Sequence, residues 1–268
     1  MFLIALENSF PVFGNFLGTV AKNLGNILGT NHAEYILEDN KTMNAYPIIQ
    51  RNPTPKSAVS VAAMREADRR TIENGTPSLE LMRRAAQGVF DAYGDWSGKA
   101  VLILCGGGNN GGDGYAMAEI LQDHAVTVAL YPVSAKLSED GAYYHQKCVD
   151  KGIPLLSEPD YDGYDVYVDC LLGTGFQGVP REPVASVIRA LNSARAQDKD
   201  KYVISVDINS GMNGDTGEGE LTVVSDLTVS IGSVKQGLFK PQARARIGKL
   251  VNVDIGIPMD WVNIDTLL

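Results

Sequence analysis

The sequence predicts an α/β fold, a three-layer α/β/α sandwich on a mostly parallel sheet. Three observations predict it. Short apolar, β-branched runs alternate with helical stretches over most of the chain, as in βαβ units. The run at residues 99–105 feeds directly into a glycine-rich loop and then a helix, so free backbone N–H groups and a helix N-terminus meet at a strand end. Three strand-following loops, after Leu104, Val168 and Val206, each place an aspartate or asparagine beside glycines. In open parallel sheets, ligands bind beyond the carboxyl ends of the strands.

Residues 1–57 read as an N-terminal extension, partly irregular, ahead of one domain over residues 58–268. Met1 to Leu6 is apolar, but Glu7 interrupts it and no basic segment precedes it, which argues against a signal peptide. Phe10, Phe13, Phe16, Leu17, Val20 and Leu24 make a helical stripe that Pro11 and several glycines break. A peripheral helix or a poorly ordered extension is expected there. Met43 is an alternative natural start. Asn52, Pro53, Thr54 and Pro55 read as a linker. Helices are predicted over 60–72 and 78–93, with Ser60 and Ser78 as caps. Strands are predicted at 100–104, 126–131, 165–170, 202–206, 227–231 and 250–254. Helices are predicted from about Gly114, over 141–151 and over 183–192. No internal repeat or low-complexity tract is seen.

Bulk properties narrow the function. The chain has 268 residues, 44% hydrophobic and 21% charged, a soluble globular composition with length enough for a sizeable core. A net charge of −9 argues against a nucleic-acid surface. It leaves room for an anionic ligand held by a local nest of backbone N–H groups. Cys105, Cys148 and Cys170 lack metal-site spacing and read as buried, reduced thiols of a cytoplasmic protein. His32, His124 and His145 are scattered, so no zinc site is expected. No apolar run reaches membrane-spanning length.

The glycine loop runs Cys105-Gly106-Gly107-Gly108-Asn109-Asn110-Gly111-Gly112-Asp113-Gly114. Glycine lets a phosphate approach the backbone, and the asparagines add neutral donors and acceptors. Asp113 would repel a phosphate, so it is expected to orient the loop, cap the helix or touch a hydroxyl. Gly106, Gly108 and Gly111 match the dinucleotide fingerprint, which also needs an acid at the end of the next strand, roughly 20 residues on. Pro132, Val133 and Ser134 follow that strand, and none is acidic. An ordinary NAD-dependent oxidoreductase is therefore disfavoured.

The string from Gly108 to Gly114 resembles the signature loop of the YjeF N-terminal domain family, the NAD(P)H-hydrate epimerases. Three further segments resemble that family in the right order: Val168 to Gly178, Val206 to Gly217, and the helices carrying Met64 to Arg70 and Leu81-Met82. The resemblance covers residues 59–259. It implies a Rossmann-like sandwich, an isomerase activity and a potassium (K+) cofactor. The matching K+ ligands are Asn110, Asp169 and Ser210, all offering oxygen, which hard cations prefer. Asp169 also reads as a turn or helix cap on generic turn chemistry. The implied substrate-binding positions are Asn109, Asn110, Gly111, Gly112, Asp113, Gly173, Thr174, Gly175, Phe176, Gln177, Gly178, Val179 and Asp207.

The implied substrate is a damaged nicotinamide nucleotide, NADHX or NADPHX, with a hydroxyl at C6 of its ring, and the reaction interchanges its R and S forms. Loss of hydroxide or ring opening each requires proton delivery to, and removal from, that oxygen. A positioned carboxylate does both, which makes Asp207 the candidate catalytic residue. The other reading of Asp207 is a charge anchoring the turn at Ile208 to Gly211. Lys235 reads equally as a phosphate contact or a solvated lysine, and Leu81-Met82 as helix core.

Departures from the family pattern bear on activity. Gly107 stands where a proline is common, which loosens its loop in the unfolded state and leaves its donors intact, and Asn209 replaces another common proline, so the loop carrying Asp207 and Ser210 is expected to gain mobility. Arg83 and Ala86 replace the usual Glu and Gly, which removes a potential glutamate contact. The alternative function is a non-catalytic nucleotide-binding or dimerising scaffold, for which the N-terminal helices offer a homodimer surface. An intact set of Asn110, Asp113, Asp169, Asp207 and Ser210 favours the enzyme. With no room for a second domain after Pro258, a separate dehydratase is expected to share the pathway. No nucleic-acid or membrane partner is expected.

Overall fold

The computed structural model describes residues 46–259. The apolar stripe at residues 10–24 and the alternative start at Met43 lie outside the described residues. Seven strands form one sheet: β1 (Ile48–Arg51), β2 (Ala100–Cys105), β3 (Thr127–Pro132), β4 (Val166–Cys170), β5 (Tyr202–Val206), β6 (Leu227–Ile231) and β7 (Lys249–Asp254), in the order β1-β7-β6-β5-β4-β2-β3. Neighbours pair in parallel except at one edge, where β1 runs antiparallel to β7 with Ile48 opposite Asp254. The α-helices among the described residues are α1 (Val61–Glu73), α2 (Ser78–Tyr93), α3 (Asn109–Asp123), α4 (Glu139–Asp150) and α5 (Val184–Gln197).

The continuous apolar run of β2 reflects burial on both faces, as parallel strands require. Val101, Ile103 and Cys105 join a core with residues of α1 to α4, such as Met64, Val89, Leu121 and Tyr144. Leu102 and Leu104 point the other way, against Val187, Ile188 and Leu191 of α5. A third cluster, including Ile208, Met212, Val234 and Leu238, supports the loops after β5 and β6. Cys105, Cys148 and Cys170 are free and buried. Burial pushes all three thiols up, Cys148 to about 12, which leaves them inert.

The predicted strands and helices are present with shifted ends. Ser60 caps α1 as expected, its Oγ accepting from the Ala63 amide at 3.1 Å. Ser78 is not the cap of α2: Pro77 holds that position, and the Ser78 hydroxyl donates to Asp140 at 3.0 Å. β1 lies within the segment expected to be an extension, because the short stretch between Pro47 and Pro53 carries little strand signal. It pairs with β7 all the same.

The largest difference is at the glycine signature. α3 starts at Asn109, not near Gly114, with Gly108 as an extended cap and the Gly112 amide donating to Gly108 O at 3.2 Å. Most of the apparent loop is therefore helix. The glycines serve close packing instead of mobility: a Cβ on Gly106 would lie 1.8 Å from Leu171 O, and one on Gly111 would lie 2.0 Å from Gly106 O.

This connectivity places the site. The chain leaves β2 for β3 on one side, then crosses back to β4 on the other side of β2. Such a switch point opens a crevice at the carboxyl ends of the two strands. Gly111→Ala is expected to close the approach between α3 and the β2 loop. Urea unfolding should show a loss of about 1–3 kcal/mol or more; an unchanged midpoint and slope would contradict this packing role.

Candidate active site

A cavity of about 570 Å³ fills that crevice, within the usual range for a small-molecule site. Its floor is Gly107 to Asn110 of the α3 N-terminus and Leu171 to Phe176 after β4. One wall is α1, whose Met64, Asp68 and Ile72 recur at helical spacing, and α2 adds Ser78, Leu81 and Met82. Asp207 after β5 and Lys235 after β6 close the deep end. The first-turn amides of α3 have no intrahelical acceptor and carry the positive end of the helix dipole.

Asp207 sits at φ +67, an uncommon backbone state for a residue other than glycine. Its amide donates to Val229 O at 2.7 Å. Its carboxylate forms an ion pair with the Lys235 ammonium and accepts a long bond from the Ile231 amide at 3.4 Å. Lys235 is 1% exposed and also donates to Ile231 O at 2.7 Å. The solvated reading of Lys235 is thus corrected: it is a buried partner of the candidate catalytic acid. Its place in a glycine-bounded turn directly after a fully buried strand was the available signal.

Below the cavity floor lies an oxygen-rich knot. Asp169 is fully buried, and it accepts from the Ser205 hydroxyl at 3.0 Å, the Ser210 amide at 2.9 Å and the Leu171 amide at 3.3 Å. The Ser210 hydroxyl also donates to Asp169, and accepts from the Leu172 amide at 2.8 Å. Burial raises the Asp169 carboxyl; the bonds from Ser210, Leu171 and Ser205 oppose that rise. Asn110 donates to Leu172 O at 3.0 Å, while its Oδ1 is buried without a hydrogen-bond partner. An orphan amide oxygen beside a buried carboxylate and a serine hydroxyl is a donor set suited to a hard monovalent cation.

Asn209 does not loosen its loop. It is fully buried; its Nδ2 lies 2.9 Å from Arg246 O and 3.1 Å from Val223 O, and its Oδ1 accepts from Thr228 at 2.8 Å. Side-chain bonds fix the turn where a proline ring would have done so. Arg83 pairs with Glu80 on the outer face of α2 and does not line the cavity. Ala86 is buried in the core.

Of the residues singled out in the sequence, Asn109, Asn110, Asp113, Gly173, Thr174, Gly175, Phe176 and Asp207 line the cavity. Gly111 and Gly112 lie buried behind it in α3. Gln177, Gly178 and Val179 lie outside the cavity lining, with Val179 exposed. Asp169 and Ser210 are buried off the cavity lining. Arg65, Asp68 and Asp140 also line the cavity and were not singled out; the helical register of α1 was the signal for the first two.

Two of the cavity carboxyls are pushed up. Burial pushes the Asp113 carboxyl well up, the charges of Asp207 and Asp68 push it further, and Lys235 opposes them. Burial likewise raises Asp68, with Lys235 opposing.

A family model described as YjeF-related protein N-terminus matches residues 78–237. This chain belongs to that family. The YjeF-related segment thus spans α2 through the turn that holds Lys235, and includes the loops after β2, β4 and β5 that line the cavity. The chain is 34% identical over 208 residues to the NAD(P)H-hydrate epimerase of Lentilactobacillus buchneri, covering 75% of this chain and 94% of that one. It is 33% identical to the bifunctional NAD(P)H-hydrate repair enzyme Nnr of Coxiella burnetii, over 72% of this chain and 40% of that one. The chain therefore spans about two fifths of the length of its bifunctional relatives. Among solved structures, the yeast protein ynu0 (YNL200c) superposes with a TM-score of 0.60 at 20% identity, covering 73% of this chain and 86% of that one, a likeness of fold.

The raised Asp113 carboxyl has a stability consequence. Its proton affinity is higher folded than unfolded, so its contribution favours folding below the unfolded carboxyl range, about pH 4, and is lost as pH rises through the folded value. Asp113→Asn should therefore be more stable than the parent near neutral pH, with the gap closing towards pH 4. Urea unfolding across pH measures this; a gap independent of pH would contradict the assignment.

Proposed function

We propose that this chain epimerises the R and S forms of NAD(P)H hydrate, in the repair of nicotinamide nucleotides. The observation that carries the reading is the Asp207 carboxylate, held at the deep end of the cavity by buried Lys235. Relatives named NAD(P)H-hydrate epimerase that match this chain over most of their own length support it. As a carboxylate, Asp207 takes the C6 hydroxyl proton and passes it to the ring nitrogen as the C6–N bond opens to an aldehyde, and the same proton returns to the oxygen when the ring closes on the opposite face of C6. The diphosphate of the substrate lies against the α3 N-terminus and the backbone of Gly173 to Gly175, where amides and the helix dipole favour anions.

Potassium fits the oxygen set of Asn110, Asp169 and Ser210, with the unpartnered Asn110 Oδ1 as its clearest ligand. Bound there, it would supply a fixed positive charge beneath the two loops. Asn110 and Ser210 hold Leu172 from either side, so the same residues shape the cavity floor. A dehydratase that consumes the same hydrate is the functional partner. Among the described residues, no helix is long and apolar enough to cross a membrane.

The experiment mixes the protein with a resolved R-epimer of NADPH hydrate in potassium buffer and follows the S-epimer by chromatography. Conversion should exceed the spontaneous rate, and Asp207→Asn should lower it at least ~100-fold, the usual range for loss of a general acid–base. Full turnover in that variant would refute the role of Asp207.

A further inference from the structure

The cavity holds four carboxylates, Asp68, Asp113, Asp140 and Asp207, but two cations, Lys235 and Arg65. A doubly charged diphosphate needs donors, and the acidic wall offers it none. The Lys235 ammonium is committed to Asp207 and Ile231 O. Arg65 differs. α1 and α2 carry five arginines, and Arg69, Arg70, Arg83 and Arg84 are each ion-paired to a glutamate of their own helix. Arg65 makes no ion pair among the described residues; its guanidinium turns towards the cavity and donates one bond to Thr174 O at 3.1 Å. A guanidinium has five N–H donors in a planar fork, so most of them are uncommitted.

The loop that Arg65 reaches is the one on which the proposed reading places the diphosphate. A Cβ added to Gly175 would lie 3.5 Å from the Arg65 Nη2, so the guanidinium rests against bare backbone. Arginine matches phosphate geometry through paired N–H bonds, which lysine cannot reproduce.

We propose that Arg65 is a substrate-binding residue that clamps the diphosphate of the dinucleotide against the Gly173–Gly175 backbone. The inference rests on the nucleotide-hydrate reading of the cavity and adds a residue from α1 to it. The bond to Thr174 O fixes the guanidinium plane, and the diphosphate takes the free edge. Salt screens an exposed charge pair, so binding through Arg65 weakens as salt rises.

The test is calorimetric binding of ADP-ribose, which keeps the diphosphate and lacks the nicotinamide ring, to the parent, Arg65→Lys and Arg65→Ala. Arg65→Ala should weaken binding roughly 10- to 100-fold, the range for a lost charge-assisted contact. Arg65→Lys should recover part of that loss, because the charge returns without the fork. The affinity of the parent should fall more steeply between 50 and 200 mM salt (about that range) than that of Arg65→Ala. A purely structural strap on Thr174 would leave the salt slope unchanged. Equal affinity and slope in the parent and Arg65→Ala would overturn the proposal, as would failure of the parent to bind ADP-ribose. Arg65-dependent binding without epimerase turnover would sustain the clamp and refute the epimerase reading, which separates the two failures.

Discussion

The site depends on one ion pair. Asp207 follows β5 in a left-handed backbone state that costs of order 1 kcal/mol or more outside glycine. The bonds from its amide to Val229 O and from its carboxylate to Lys235 hold it there. Lys235 in turn is anchored to Ile231 O and to Val59, whose amide donates to Val234 O and whose carbonyl accepts from Gln236, both at 2.9 Å. Val59 lies just before the cap of α1, the cavity wall. One pair thereby ties the ends of β5 and β6 to the helix that faces them. Removing the Asp207 carboxylate leaves the buried Lys235 ammonium uncompensated, at a cost of about 3–5 kcal/mol.

A second brace lies one strand away. Asp169 at the end of β4 gathers Ser205, Ser210 and Leu171, while Asn209 stitches the same turn to Val223, Thr228 and Arg246. These are polar side chains in the interior of a sheet, and apolar residues would pack there at lower cost. Their retention places Asp207 and the Asn110 oxygen against a rigid floor. The raised carboxyls of Asp113 and Asp68 belong to the same conflict: burial opposes their charge, and the cavity holds them anyway.

Much of this was legible in the residues. Two-sided apolar runs at β2, β4 and β6 announced a parallel sheet, and the aspartates at 169 and 207 announced its functional end. The α3 start differs from the sequence expectation because glycine lowers helix propensity, and only the tertiary contacts of Gly106 with Leu171 and of Gly111 with Gly106 explain why it is tolerated. β1 was hidden because an edge strand of four residues, exposed over most of its length, needs no apolar pattern. Lys235 was ambiguous because burial of a lysine is decided by its partner, which lies 28 positions away. Asn209 was read through the proline it replaces, whereas its three-way bonding comes from segments distant in sequence.

The most direct measurement of the central claim is a crystal structure of Asp207→Asn with the NADPH hydrate bound in potassium buffer. The account predicts the C6 oxygen within about 3.2 Å of the side chain at position 207, hydrogen-bond reach for proton transfer, with the diphosphate on the Gly173–Gly175 loop. A nicotinamide ring directed out of the cavity, or a C6 oxygen met by another side chain with position 207 remote, would contradict it.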